Sequence, residues 1–332
     1  MKKLELLDAL RGFASIYIAI SHWIYDLNLP TAVKVFFRFG QEAVIVFFIL
    51  SGFVICYSYN KSDDKSLRTF YIKRFRRIYF PLFCSFIISI VVCRFVFSYK
   101  ELIGNILMLQ DFSTAKPGAI VPSFLGNSPL WSLSYEWIFY MIFPFIFPIV
   151  KFNKNRCHII GLFSVLNLII YILFPNHIFL VFSYFLIWWT GLELCEHFLY
   201  QTKLQHKTLI SYYLVILLIL GFTCFIQYRT HKIIEPGMYP YLLFRHFVFA
   251  FICLIMTIYF TSFTKKLIGI IKPFSALAPI SYGIYIIHYP ILVQASFGVS
   301  PIIAVIIKIL LLFGLAYLIE IVLQPKVNKL IN

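Results

Sequence analysis

Acidic residues are scarce in this chain. Thirteen Asp and Glu stand against 29 Lys and Arg in 332 residues, and charged residues of both signs make up only 13% of the total. A soluble domain carries about a quarter charged residues, and no polar stretch here is long enough to build one. The net charge of +16 does not point to nucleic acid. The cations flank apolar runs and do not cluster on one soluble face, which fits membrane topology and anionic headgroups. The seven cysteines show no C-x-x-C spacing and no pattern with histidine. That excludes a zinc site or a disulfide framework from the expectation and leaves free, buried thiols. G-x-S-x-G and H-E-x-x-H are absent as well. Leu-Ser-Gly-Phe at 50–53 lies inside an apolar run with no preceding strand, so it is not a nucleophile elbow. His22 to Asp26 is H-x3-D, one residue short of the H-x4-D box of glycerolipid acyltransferases. Lys2 and Lys3 precede the first apolar run as in a signal peptide, but Arg11 interrupts the run and no small-residue cleavage site follows, so an uncleaved helix is expected.

What is abundant is apolar and aromatic: 61% and 20% of the chain. A span needs about 20 apolar residues. Ten candidates lie at roughly 6–25, 39–59, 78–98, 131–150, 157–175, 178–198, 209–228, 241–262, 275–294 and 301–323. Stretch 102–110 is too short to cross and is placed at the interface. With the N-terminus in the cytoplasm, 19 cations fall on cytoplasmic segments and six on external ones, and four (Arg11, Arg94, Arg245, Lys308) fall within spans. The positive-inside rule then gives an all-α integral membrane protein, a bundle of about ten transmembrane helices with both termini cytoplasmic, forming one domain over 1–332. The largest external loop, about 99–130, is rich in Pro and Gly and reads as irregular.

Four groups of polar residues interrupt the apolar runs. Arg11 and His22 are eleven residues apart, about 20° past three full helical turns, so they share a helix face about 16 Å apart along the axis. An intramembrane cation and imidazole on one face suggest chemistry across the bilayer. Asp26, one turn beyond His22, either orients its ring or forms a solvated helix end. Lys73, Arg74, Arg76 and Arg77 cluster at the start of the third span. They are either topological charge or a phosphate site, for which guanidinium forks are suited. Glu136 lies about two turns into the fourth span, behind Trp131 and Ser132, at a depth similar to His22, and a carboxylate there needs a partner or a proton. In the ninth span Tyr282, Tyr285 and Tyr289 follow i, i+3, i+7 spacing on one face, and Ser281, Tyr285 and His288 lie on an overlapping one. They line a polar cavity or join helices by hydrogen bonds. Glu42, Glu193 and Glu320 sit near helix ends without an assigned role.

Taken in order, these residues resemble acyltransferase family 3 of integral membrane proteins. The likeness rests on the Arg11-x10-His22 spacing, Gly40 to Gly52 with its Val46-Phe-Phe-Ile-Leu-Ser-Gly run, and Arg74-x-x-Arg77-Ile followed by Pro81. It continues through Trp131-Ser-Leu-Ser-Tyr-Glu136 with Phe139-Tyr140, Ser281-Tyr282 with Tyr285, His288 and Pro290, and a late Glu320. Each motif alone is weak; five in sequence over nearly the whole chain are specific. The family often appends an extracytoplasmic SGNH esterase-like domain, which the sequence to Asn332 is not expected to carry.

The resemblance implies transfer of an acyl group, usually acetyl from cytosolic acetyl-CoA, to a hydroxyl of an extracytoplasmic or lipid-linked glycan such as O-antigen, capsule or exopolysaccharide. The location implied is the bacterial cytoplasmic membrane, with no permanently bound cofactor and no metal. The residue reading accommodates this. Arg74, Arg76 and Arg77 face the phosphates of CoA, His22 acts as general base on the acceptor hydroxyl, Arg11 stabilises thioester or phosphate charge, and Glu136 orients His22. Direct transfer and an acyl-His22 intermediate both stand. A transporter or flippase, or a glycan polymerase, is the rival class. Loop 99–130 has no Arg or His of the kind a polymerase loop carries, and a transporter has no need of the arginine cluster.

Overall fold

A computed structural model describes residues 3–330 except 26, 28, 201–206, 232 and 233. Asp26, with Lys2, Lys203 and Lys232 of the charge count, lies outside the described residues. Nine helices among the described residues are long and apolar enough to cross a membrane. They occupy nine of the ten expected segments. The tenth, α1 (Lys3–Trp23), carries Glu5, Asp8 and Arg11 in its first half and fails on composition. It has the length, since 21 residues rise about 31 Å. Ala14, Ile18 and Ala19 are buried against the bundle.

After the short α2 (Thr31–Phe36), α3 (Gly40–Lys61) runs through the middle of the protein. The α4 helix (Leu67–Val92) begins under a Ser66 cap that accepts from the Thr69 amide and carries Pro81 in its interior. Loop 99–130 is more ordered than its Pro and Gly content suggests. The α5 helix (Tyr99–Ile106) is capped by Ser98, and β1 (Gln110–Asp111) pairs in parallel with β2 (Val121–Pro122). Asn105 joins the two ends of the loop: its amide nitrogen donates to the Pro122 carbonyl (2.9 Å), and its oxygen accepts from the Phe124 amide (3.0 Å). Asn105, Gln110, Asp111, Lys116 and Asn127 are all buried, so the loop is folded, with a polar interior.

The α6 helix (Trp131–Val150), α7 (Arg156–Leu173), α8 (His177–Ser183) and α9 (Phe185–Tyr200) follow. Contact between α3 and α9 is backbone to backbone. A Cβ on Gly52 would lie 2.0 Å from the Trp188 carbonyl oxygen, and one on Gly191 would lie 2.0 Å from that of Ile49. Only glycine permits this approach, the usual way for helices to pack where lipid removes the hydrophobic drive. The α10 (Lys207–Thr230), α11 (Tyr241–Tyr259) and α12 (Thr261–Ile270) helices complete the periphery.

A 3₁₀ stretch, Lys272–Ile280, packs along α1, with Phe274 edge-on to Phe13. It continues as α13 (Ser281–His288) and then widens into a π turn at Tyr289–Gln294, where Pro290 removes a backbone donor. The α14 helix (Pro301–Tyr317) ends in a second π turn, Leu318–Leu323, before α15 (Gln324–Leu330). Wide turns of this kind are uncommon and tend to mark functional positions.

Candidate active site

Two cavities open at opposite ends of α3. Gly40 and Gln41 line one and Ser58 the other, a separation of about 27 Å at 1.5 Å per residue. The first cavity, about 530 Å³, is walled by Tyr25, Phe37, Phe112, Trp131 and Tyr289 and by the hydroxyls of Ser21, Ser113, Thr114, Ser123 and Ser128. His22 lines it. The side-chain oxygen of Gln41, another lining residue, is buried and has no partner among the described residues.

His22 does not stand alone. Its Nδ1 lies 2.8 Å from Nε2 of His288, and the two rings are parallel with centroids 5.1 Å apart. Nδ1 of His288 lies 2.7 Å from the Tyr285 carbonyl oxygen and 3.3 Å from that of Ile284. Tyr289 meets the His22 ring edge-on. His288 is fully buried, so of the two imidazoles only His22 reaches the cavity.

The second cavity, about 420 Å³, is lined by Ser58, Lys73, Arg74, Arg76, Arg77, Gln324, Asn328 and Lys329. The arginine cluster predicted from sequence thus forms one wall. Arg74 donates to Ser58 Oγ (3.0 Å) and lies over the rings of Phe70 and Tyr140. Its buried Nε has no acceptor among the described residues. Arg77 pairs with Glu320 in the second π turn and lies over the Tyr282 ring. Arg11 feels the charges of Arg77, Asp8 and Glu136, so it belongs to this end, on the same α1 face as His22 but far from it.

A polar track lies between the cavities. Trp188 Nε1 donates to Ser51 Oγ (3.1 Å) and Ser51 to the Tyr140 hydroxyl (2.9 Å), which donates to Glu136. Ser132 donates to the Tyr285 hydroxyl (2.7 Å), which donates to the Pro129 carbonyl (2.6 Å). Three expectations change here. Glu136 is engaged by Tyr140, one turn along its own helix, and the ring of His22 is held by His288. Ser281, Ser132, Tyr285 and His288 line neither cavity; the Ser281 hydroxyl donates back to the Ala278 carbonyl (2.8 Å). Tyr282 belongs to the arginine end, where its hydroxyl donates to the Ile78 carbonyl (3.3 Å).

Sequence reasoning missed a buried cluster behind the first cavity. Asp111 accepts from Lys116 Nζ (3.0 Å), Tyr135 (2.7 Å), His177 Nδ1 (3.0 Å) and the Phe112 amide (2.7 Å). Lys116, almost fully buried, sits 3.4 Å from the centre of the Trp131 ring. Burial pushes the Asp111 carboxyl up, but the Lys116 ammonium, His177 and Tyr135 outweigh it and hold the group at about 2. Burial pulls Lys116 down to about 8 against the opposing pull of Asp111. The only advance signal was a lysine and an aspartate five apart in an apolar chain. The unassigned acids each meet an arginine: Glu42 pairs with Arg245 (2.6 Å), Glu193 with Arg156 (2.6 Å), and Glu320 with Arg77.

A family model described as an acyltransferase domain matches residues 4–324. Two curated relatives share part of the chain. Acyltransferase MdmB of Streptomyces mycarofaciens is 33% identical over 165 residues, 45% of this chain and 40% of its own length. Peptidoglycan O-acetyltransferase OatA of Listeria monocytogenes is 30% identical over 173 residues, 46% of this chain and 26% of its own length. The chain thus matches less than half the length of either. No solved structure matches.

Proposed function

The chain belongs to acyltransferase family 3, and on that premise we propose that it is a multi-pass membrane enzyme of the bacterial cytoplasmic membrane that moves an acyl group, acetyl from acetyl-CoA, to a hydroxyl of an extracytoplasmic or lipid-linked glycan. The observation that carries this reading is the placement of two chemically different cavities at the two ends of one bundle. One holds a partly exposed imidazole among hydroxyls and aromatic rings, as a sugar site would. The other is walled by lysine and arginine, as a polyphosphate site would be.

With both termini in the cytoplasm, the arginine cavity faces cytosolic donor. Arg74, Arg76 and Arg77 take the phosphates, and the acyl-bearing arm extends along α1 toward His22. Arg11, about 16 Å from His22 along the axis, acts on the donor's charged end and not on the reacting carbonyl. His22 removes the proton of the glycan hydroxyl as its oxygen bonds the acyl carbon. The carbon–sulfur bond breaks, and the imidazolium returns the proton to the thiolate, giving ester and free thiol. Glu136, held by Tyr140, lies beside the path of the arm.

The test is transfer of labelled acetyl from acetyl-CoA to glycan by the protein in vesicles, read by glycan mass spectrometry. His22→Ala is expected to lose about 10²–10⁴-fold activity at unchanged protein level. Activity within a few-fold of wild type overturns the general-base role of His22. Glycan movement or chain extension without acylation gives the chain to the transporter or polymerase class.

A further inference from the structure

We propose that His288 is a positioning residue that fixes the tautomer of His22 and leaves its Nε2 as the one basic nitrogen available to the acceptor. The proposal rests on His22 being the base, and it adds how that base is prepared.

The hydrogen-bond roles are forced in sequence. The Tyr285 carbonyl, 2.7 Å from Nδ1 of His288, can only accept. Nδ1 of His288 therefore carries a proton. A neutral His288 then presents a lone pair at Nε2. The atom 2.8 Å from that lone pair is Nδ1 of His22, so it must be the donor. The remaining nitrogen of His22, Nε2, is unprotonated in the neutral pair. A free imidazole in water prefers the opposite tautomer, with its proton on Nε2, which is useless for taking a proton there. His288 reverses that preference.

The placement supports the same division of labour. His288 is fully buried in the last turn of α13, and the π turn begins at the next residue. Its proton is tied to its own helix, so it cannot approach a substrate. His22 lines the open cavity. The other ionisable residues of that cavity are Tyr25, Arg38, Asp111 and Tyr289. Asp111 is already paired with Lys116, so among the described residues of that cavity no free carboxylate competes with His288 for the ring. The relay also bears on the chemistry. With Nδ1 engaged, proton removal and any acyl capture by His22 converge on Nε2, the same lone pair. While that nitrogen holds an acyl group it cannot deprotonate the hydroxyl, which favours direct transfer.

The test uses three variants of the full-length protein. His288→Gln places an amide oxygen where Nε2 stood and keeps an acceptor for His22; His288→Leu removes it. His288→Leu is expected to lower kcat about 10²-fold, the low end for a general base, with KM for acetyl-CoA unchanged. His288→Gln is expected to recover activity to within about tenfold of wild type. In ¹⁵N-histidine spectra, His22, assigned by loss of its signals in His22→Ala, is expected to show an unprotonated Nε2 in wild type and His288→Gln and a protonated Nε2 in His288→Leu. Wild-type His22 with a protonated Nε2 overturns the proposal directly, without any variant. Full activity in His288→Leu while His22→Ala is inactive also overturns it and leaves the acyltransferase reading standing. Full activity in His22→Ala removes the general-base role of His22 on which the proposal rests.

Discussion

Asp111→Asn removes the negative member of the buried cluster behind Trp131 and leaves the Lys116 ammonium almost wholly out of water. Breaking a buried pair on one side costs about 3–5 kcal/mol. Two features of this site set where in that range the variant falls. Lys116 keeps the faces of Trp131 and Tyr135, 3.4 and 4.8 Å away, which offsets part of the loss. It can also escape its charge: burial already pulls it down to about 8 beside Asp111, and without the carboxylate it falls further and gives up its proton more readily. A loss near 3 kcal/mol at pH 7 is expected. The pH dependence has a fixed sign. The unfolded chain binds the lysine proton up to the ordinary lysine range and the folded variant does not, so the variant gains stability as pH rises from 7 to 9. Asp111 contributes the opposite edge in the wild type. Held at about 2, it adds stability that is present above about pH 4 and is lost as the pH falls toward 2. The assay is thermal unfolding of detergent-purified protein at pH 7 and 9, with Asp111→Asn compared with Asp111→Asn/Lys116→Met. The double variant should recover at least half of the loss, because no charge remains unpaired. A single variant within about 1 kcal/mol of wild type, or a double variant no better than the single, refutes the argument.

Two further outcomes follow from the opposite end and from topology. Arg74→Lys and Arg77→Lys preserve charge but not the planar fork, so each should raise KM for acetyl-CoA about tenfold or more while membrane insertion is unchanged; wild-type KM in both, measured on purified protein, would leave the cluster as a topology signal. Reporter fusions after Thr230 should read external and C-terminal fusions cytoplasmic, and the reverse at either site would invert the sidedness of both cavities.

Much of the site was legible because it was local or repetitive. Arg11 and His22 share a face through helical periodicity alone. Arg74 and Arg77 announced themselves as fixed charges beside an apolar run, and both line one cavity. Ser132 and Tyr285 were each flagged on their own helices, yet their meeting 153 positions apart was not in either pattern. The partner of His22 is 266 residues away, so sequence offered only nearer candidates: Asp26, which lies outside the described residues, and Glu136. Glu136 instead met Tyr140 at i+4, a pairing helical spacing permits and depth-matching overlooked. Loop 99–130 was misjudged for a related reason. Its Pro and Gly content reports backbone turns, which are present, with Gly118 and Gly126 both at positive φ. It says nothing of the buried amides and the ion pair that order the loop.

The second π turn makes residue count part of the site's definition. A wide turn holds one residue more than an α-helical turn of the same advance. Leu318–Leu323 joins α14 directly to α15, so deleting a single residue from it would let the segment close into a regular helix while rotating what lies on one side by about 100° relative to the other. Glu320 would then turn from Arg77 although both side chains were still encoded. Tyr289–Gln294 runs out into the non-helical stretch 295–300, which can absorb such a change. In this chain a gap of one position in the second segment is as consequential as loss of the glutamate itself.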